Sequence, residues 1–198
     1  MLIMKLLPIS GLKYTVTDKT GWSVKGVETF PINRADAIKD NLISTDAGDT
    51  NERFLARYGS NTGNPHAWVQ IKFDDTYTVA EVHITLRRGK LQGSDVMQEF
   101  EVWVGVDEVE GSAGIEDGQP SCTTPFTGTA GTTLCKKIRH DDATLDRTNV
   151  LIVTCDQPLV GEYLFIQMTD EDPTNNKRLT IEEVDVVFQE AEKSISEF

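Results

Sequence analysis

The chain has 198 residues, 38% of them hydrophobic and 8% aromatic, which is enough for one domain with a hydrophobic core. Thirty-two acidic residues against 19 basic ones give a formal net charge of −13, so nucleic acid and anionic membrane surfaces are set aside as partners by repulsion. No apolar run approaches the roughly 20 residues of a transmembrane helix.

The opening residues, Met1 to Pro8, are apolar apart from Lys5. They read as a first strand or as the remnant of a signal h-region without a cleavage site. Residues 31–64 are polar, with a short helix expected over Arg34 to Leu42. The first clear alternation is Trp68 to Phe73, with Val69, Ile71 and Phe73 on one face and Gln70 and Lys72 on the other. Asp74-Asp75 reads as a tight connection. Val82, Ile84 and Leu86 point inward from the next strand, and Phe100, Val102 and Val104 from the one after.

Residues 105–149 carry Gly, Pro, Ser, Thr and acids and read as a long connection with only hints of strand. Val150 to Thr154 and Tyr163 to Met168 are more continuously apolar, as central strands are, with Gly161-Glu162 as the tight connection between them. Leu179 to Phe188 closes the series, and residues 189–198 form a polar acidic tail. Alternating strands without long helical periodicity imply an all-β domain of two stacked antiparallel sheets over residues 1–188.

A few residues stand out chemically. Arg88 shares the parity of Val82, Ile84 and Leu86, so it leaves the core on the inward face, where a guanidinium fork can donate to adjacent hydroxyls. Glu183 interrupts the alternation of Leu179 and Ile181, and a carboxylate there needs a partner or a cation. Three cysteines, Cys122, Cys135 and Cys155, leave one unpaired if a bridge forms, and their spacings do not suit zinc. The acids between Asp107 and Asp117 read as a solvated loop. Arg139, His140, Asp141 and Asp142 lack the nucleophile or metal triad of a hydrolytic site, and no catalytic motif occurs elsewhere. His66 and His83 read as structural or surface residues, and Thr169 to Asn176 as a turn bordering the site.

Four stretches in order resemble the F-type lectin (fucolectin) family, within the discoidin or F5/8 type C galactose-binding-like group. They are Ala37-Ile38-Lys39-Asp40-Asn41; Asn64-Pro65 with Trp68 to Phe73, Tyr77, Val79 and Val82; Arg88 with Phe100 to Gly105; and Cys155, Gly161 to Leu164 and Leu179 to Val186. The likeness covers roughly residues 11–188. It implies an antiparallel jelly-roll β-sandwich, a secreted protein whose signal segment lies outside this sequence, and a glycan site of fucose or galactose type in loops at one end. It implies no catalysis.

Carried over residue by residue, the family's first sugar-binding Arg falls on Arg88. The acid two residues on is Lys90, the vicinal cysteines are Leu91 and Gln92, and the His position is Tyr58. A sugar bound here therefore meets a different set, with Tyr58 stacking on it and Arg57, Lys90 or Asp95 bonding hydroxyls. The resemblance pairs Cys122 with Cys155; Cys135 is then free, displaces Cys122, or pairs with another chain. It also implies a structural calcium ion held by Asp36, Asp40, Asn41 and Glu183, with a Lys39–Glu183 ion pair as the alternative. A lectin-like domain is the functional expectation, presented as a homo-oligomer where avidity matters. The alternative is a discoidin-like adhesion or protein-interaction domain that binds no sugar.

Overall fold

A computed structural model describes residues 12–26, 38–39, 54–57, 68–86, 99–108, 126–128, 130–138, 150–169 and 178–190; for 54–57 and 178–180 it describes the backbone alone. Among the described residues eight strands run in chain order: β1 Lys13–Thr15, β2 Ser23–Gly26, β3 Phe54–Arg57, β4 Trp68–Leu86, β5 Phe100–Gly105, β6 Thr132–Ile138, β7 Val150–Met168 and β8 Arg178–Gln189. All pairings are antiparallel, in the order β1-β8-β4-β7-β5-β6, with β2 also on β4 and β3 also on β8.

The fold rests on β4 and β7, each 19 residues long and paired with one another from end to end. The ladder breaks between Lys72 and Tyr77 and again between Val79 and Glu81. There the two-stranded ribbon folds over. Its one half, Trp68–Lys72 with Tyr163–Gln167, carries β2, β5 and β6. Its other half, Glu81–Thr85 with Val150–Thr154, carries β8, and through it β1 and β3. The result is the expected jelly-roll β-sandwich, with both layers sharing the two long strands β4 and β7.

Side chains from both halves meet in one core. Val69, Ile71 and Phe73 from the first half pack with Val82, Ile84 and Leu86 from the second, as their alternation predicts, together with Phe100, Val102 and Val104 of β5. At the fold-over Phe73 lies 5.4 Å from Phe188 and 5.0 Å from Trp22, ring centre to ring centre. Tyr77 stacks on Phe188 at 4.3 Å. Asp74 pins this corner, accepting hydrogen bonds from Trp22 Nε1 at 3.2 Å and from the Tyr77 hydroxyl at 3.0 Å. Burial first, and then the Asp74 carboxylate, push the Tyr77 hydroxyl up to about 12.

Several expectations need correcting. Asp74-Asp75 and Gly161-Glu162 are not connections between strands; they lie inside β4 and β7 at the fold-over. The same polar or small residues serve a corner as serve a turn. Gly161 is there for close approach, since a Cβ at this position would stand 2.6 Å from the Gly105 carbonyl oxygen. Val150–Thr154 pairs with β4 on one side and with no other described strand, so it forms an edge, and Ile152 is 58% exposed. Residues 105–149 contain β6, which pairs with β5. Of the helix expected over Arg34 to Leu42, Ile38 and Lys39 form a 3₁₀ turn and the rest lies outside the described residues, as do Met1–Pro8 and the tail from 191 onward.

The disulfide is also corrected: Cys155 bonds to Cys135, not to Cys122. In β6 the register steps from Lys136 opposite Val102 to Leu134 opposite Trp103, leaving Cys135 as an extra, bulged residue. The bulge turns Cys135 into the core, fully buried, where it meets Cys155 of β7 with 4.5 Å between Cα atoms. β6 and this half of β7 belong to different layers, so the bridge crosses the sandwich.

Candidate functional site at the strand ends

The fold-over places both free ends of the β4/β7 ribbon at one end of the sandwich. In the second layer Leu86, the last residue of β4, and Phe54 of β3 both stand opposite Ile181, Arg57 stands opposite Arg178, and Thr85 opposite Val150. In the first layer Trp68 stands opposite Gln167, and Phe100 opposite both Met168 and Ile138. Segments 58–67, 87–98, 139–149 and 170–177 are therefore each attached at this end, one terminus in either layer.

In sequence, most of the expected ligand residues lie in segments attached there. Tyr58 directly follows β3, and Arg88, Lys90 and Asp95 belong to the segment that leaves β4. Leu86, the last described residue before Arg88, is buried in the core. Arg57 ends β3, with its backbone opposite Arg178 of β8. The positions of Tyr58, Arg88, Lys90 and Asp95, and the side chain of Arg57, lie outside the described residues.

Near the same end, Glu183 has the partner its position demanded. The register of β8 against β4 slips by one residue at Glu182, which resets the alternation. Val184, Val186 and Phe188 then face the core, and Glu183 and Asp185 turn to the opposite face. The ammonium of Lys19, in the segment crossing from β1 to β2, donates to Glu183 Oε1 at 2.5 Å, to Asp185 Oδ1 at 2.6 Å and to the Val184 carbonyl at 3.0 Å. All three of its N–H donors are used. Lys39, the alternative partner, donates instead to the backbone carbonyl of Trp22.

This arrangement bears on the calcium implied by the resemblance. One Glu183 oxygen and the neighbouring carbonyl are already taken by a buried positive charge, and a divalent ion sharing them would face that ammonium at close range. Among the described residues no group of three or more His, Cys, Asp or Glu is placed to hold a metal ion. Asp36, Asp40 and Asn41 lie outside them.

Sequence reasoning passed over two buried polar residues, Lys19 against β8 and Gln167 on the outer face of the first layer. Gln167 of β7 is 1% exposed. Its amide oxygen accepts from Phe126 N at 2.8 Å and its amide nitrogen donates to Phe126 O at 2.6 Å and to Glu101 Oε2 at 3.1 Å. Phe126 is thereby held against Phe165 and Trp103, at 5.3 and 5.1 Å between ring centres. The signal was a glutamine inside the apolar run Tyr163 to Met168. Lys19 gave no such signal.

No family model matches the sequence, and no curated protein matches it. Solved structures do share its fold. An F5/8 type C domain of a Bacteroides fragilis protein superposes with a TM-score of 0.56 at 13% identity, over 90% of this chain and 98% of that one. A family 32 carbohydrate-binding module from Clostridium perfringens, solved in complex with galactose, gives 0.54 at 13% identity, over 89% and 99%. A fucolectin from striped bass (Morone saxatilis) serum gives 0.54 at 14% identity, covering 87% of this chain and 47% of the bass protein. The chain thus has the discoidin-like, galactose-binding-like β-sandwich fold of that lectin group.

Proposed function

We propose that this chain is a non-catalytic, lectin-like domain that binds a glycan at the strand ends, anchored by Arg88. The observation that supports the reading is topological: four segments joining the two layers start and finish on strands at one end, and Tyr58, Arg88, Lys90 and Asp95 belong in sequence to two of them. A rigid sandwich carrying a cluster of polar loop residues is a common platform for ligands. The shared fold includes a carbohydrate-binding module solved with galactose and a fucolectin, which supports a sugar of that kind. The departures at Lys90, Leu91, Gln92 and Tyr58 give this chain its own selectivity.

The cross-layer disulfide supports an oxidising, extracellular setting. For the cation, we read Lys19 as the charge that balances Glu183, so that this end of the sandwich holds together without calcium.

A glycan array probed with and without calcium tests the function. Binding that survives chelation and is lost in Arg88→Ala is the expected result. No glycan signal, with an interaction partner still bound by Arg88→Ala, would favour the discoidin-like adhesion reading.

A further inference from the structure

The outer face of the first layer carries a second polar concavity, on the flat of the sheet and independent of the loop-end reading. Ser23 stands opposite Lys72 and Lys25 opposite Gln70, so four side chains of β2 and β4 form a two-by-two patch. Their parity is opposite to that of Val24, Val69 and Ile71, which pack inward. Glu108, just beyond β5, closes the patch into an open groove of about 240 Å³.

Its charge sets it apart. The other described lysines each reach an oxygen: Lys13 and Glu81, Lys19 and Glu183, Lys25 and Glu108, Lys39 and the Trp22 carbonyl, Lys136 and Asp156, Lys137 and Glu101. Lys72 has none among the described residues; its ammonium lies over the Tyr163 ring, 5.5 Å from the ring centre. In a chain of net charge −13, this leaves Lys72 as a solvated ammonium with no acid among the described residues, open to an added carboxylate. Beside it the Lys25 ammonium lies 2.9 Å from Glu108, and the amide of Gln70, 2% exposed, lies 3.4 Å from the same carboxylate.

We propose that this groove is a ligand site for a single sugar ring bearing a carboxylate, such as a hexuronate. The carboxylate pairs with Lys72, with Lys25 adding positive potential nearby. Ring hydroxyls donate to Glu108 and exchange hydrogen bonds with Ser23 and Gln70. A neutral hexose leaves Lys72 unpaired and binds more weakly. The groove is of the size of one ring, and the two ammoniums and one carboxylate among its described lining residues match a ligand with both an acid and hydroxyls. The overall negative charge does not forbid this, because charges beyond roughly 8 Å are largely screened at physiological salt.

The test is amide NMR of the whole chain titrated with glucuronate and, in parallel, with glucose. Glucuronate is expected to shift the amides of Ser23 to Lys25 and Gln70 to Lys72, more strongly at low salt than at high. Lys72→Met is expected to weaken glucuronate by about tenfold, the scale of one charge-assisted contact, while Lys72→Arg retains it. Arg88→Ala, which removes the loop-end anchor, leaves these shifts in place. Lys72 is exposed, so an unchanged melting temperature certifies the variant's fold. Glucuronate shifts that are absent, that appear only in segment 87–98, or that are matched by glucose or by Lys72→Met would overturn the site.

Discussion

Lys19 Nζ lies 2.5 Å from Glu183 Oε1, and the two side chains are 0% and 3% exposed. The contact joins the crossing segment after β1 to the last strand, 164 residues away in sequence. Removing the ammonium leaves Glu183 and Asp185 facing each other with no counter-charge from this residue. Lys19→Met is therefore expected to cost about 3 to 5 kcal/mol, the usual scale for removing one partner of a buried ion pair. Adding Glu183→Gln to it should recover part of the loss. Thermal unfolding of the wild-type chain is expected to be the same with and without a chelator; a clear drop under chelation would return the role to a metal ion.

The bridge between Cys135 and Cys155, 20 residues apart, constrains the unfolded chain, and a loop of that size is worth about 3 kcal/mol in the chain-entropy picture. Denaturant unfolding of a Cys135→Ala/Cys155→Ala double variant should show that loss. Cys122→Ala should not, and mass mapping of the oxidised protein should recover Cys135 and Cys155 in one cross-linked pair.

Gly161 has no room for a side chain. An added Cβ would lie 2.6 Å from the Gly105 carbonyl oxygen and 2.7 Å from Val104 Cγ1, and backbone cannot yield as a flexible side chain does. Gly161→Ala should destabilise by about 1 to 3 kcal/mol, the range of overpacking in a tight interior. Gly128→Ala is a different case, since its φ of 97° is unfavourable for alanine whatever the space. Paired melting curves separate the two.

The pH dependence follows from two groups. Glu81 is held below its ordinary 4.5 by hydrogen bonds from Lys13 and then His83. Its folded-state value is depressed, so its contribution is present above the unfolded value and disappears as pH falls through the folded one. Tyr77 has the opposite sign. Its hydroxyl is raised from 10.0 to about 12, so its contribution is intact below 10.0 and is lost as pH climbs toward about 12. Absorbance titration of tyrosinate should show a late-titrating component that is absent in Tyr77→Phe. Asp74→Asn, which keeps the shape of the corner without its charge, should lower that midpoint.

The inward faces of β4 and β5 were legible because period two survives in them: Val69, Ile71 and Phe73, then Val82, Ile84 and Leu86, then Phe100, Val102 and Val104. Where a bulge shifts the period, the reading failed. In β6 the buried Cys135 and Ile138 are three apart, which simple alternation does not produce, and the strand read as loop. At Glu182 the same kind of slip moved Glu183 to the face opposite the one its parity indicated. The continuity of β4 and β7 through Asp74-Asp75 and Gly161-Glu162 was hidden because corner and turn draw on the same residues. The need of Glu183 for a positive partner was visible in sequence. That Lys19 meets it was not, because a lone lysine in a polar segment carries no periodic signature.

Because β4 and β7 run unbroken through both layers, neither layer has an independent existence. A sandwich of two separate sheets can shear along its interior; here sliding is opposed by two strands that continue through the crease. Amide exchange should accordingly report one opening event for the whole ribbon, with Val69 and Val82 protected to the same depth. The loops at the rim are thus borne on a single stiff mount, and a ligand bridging two of them would meet anchor points whose spacing is already set.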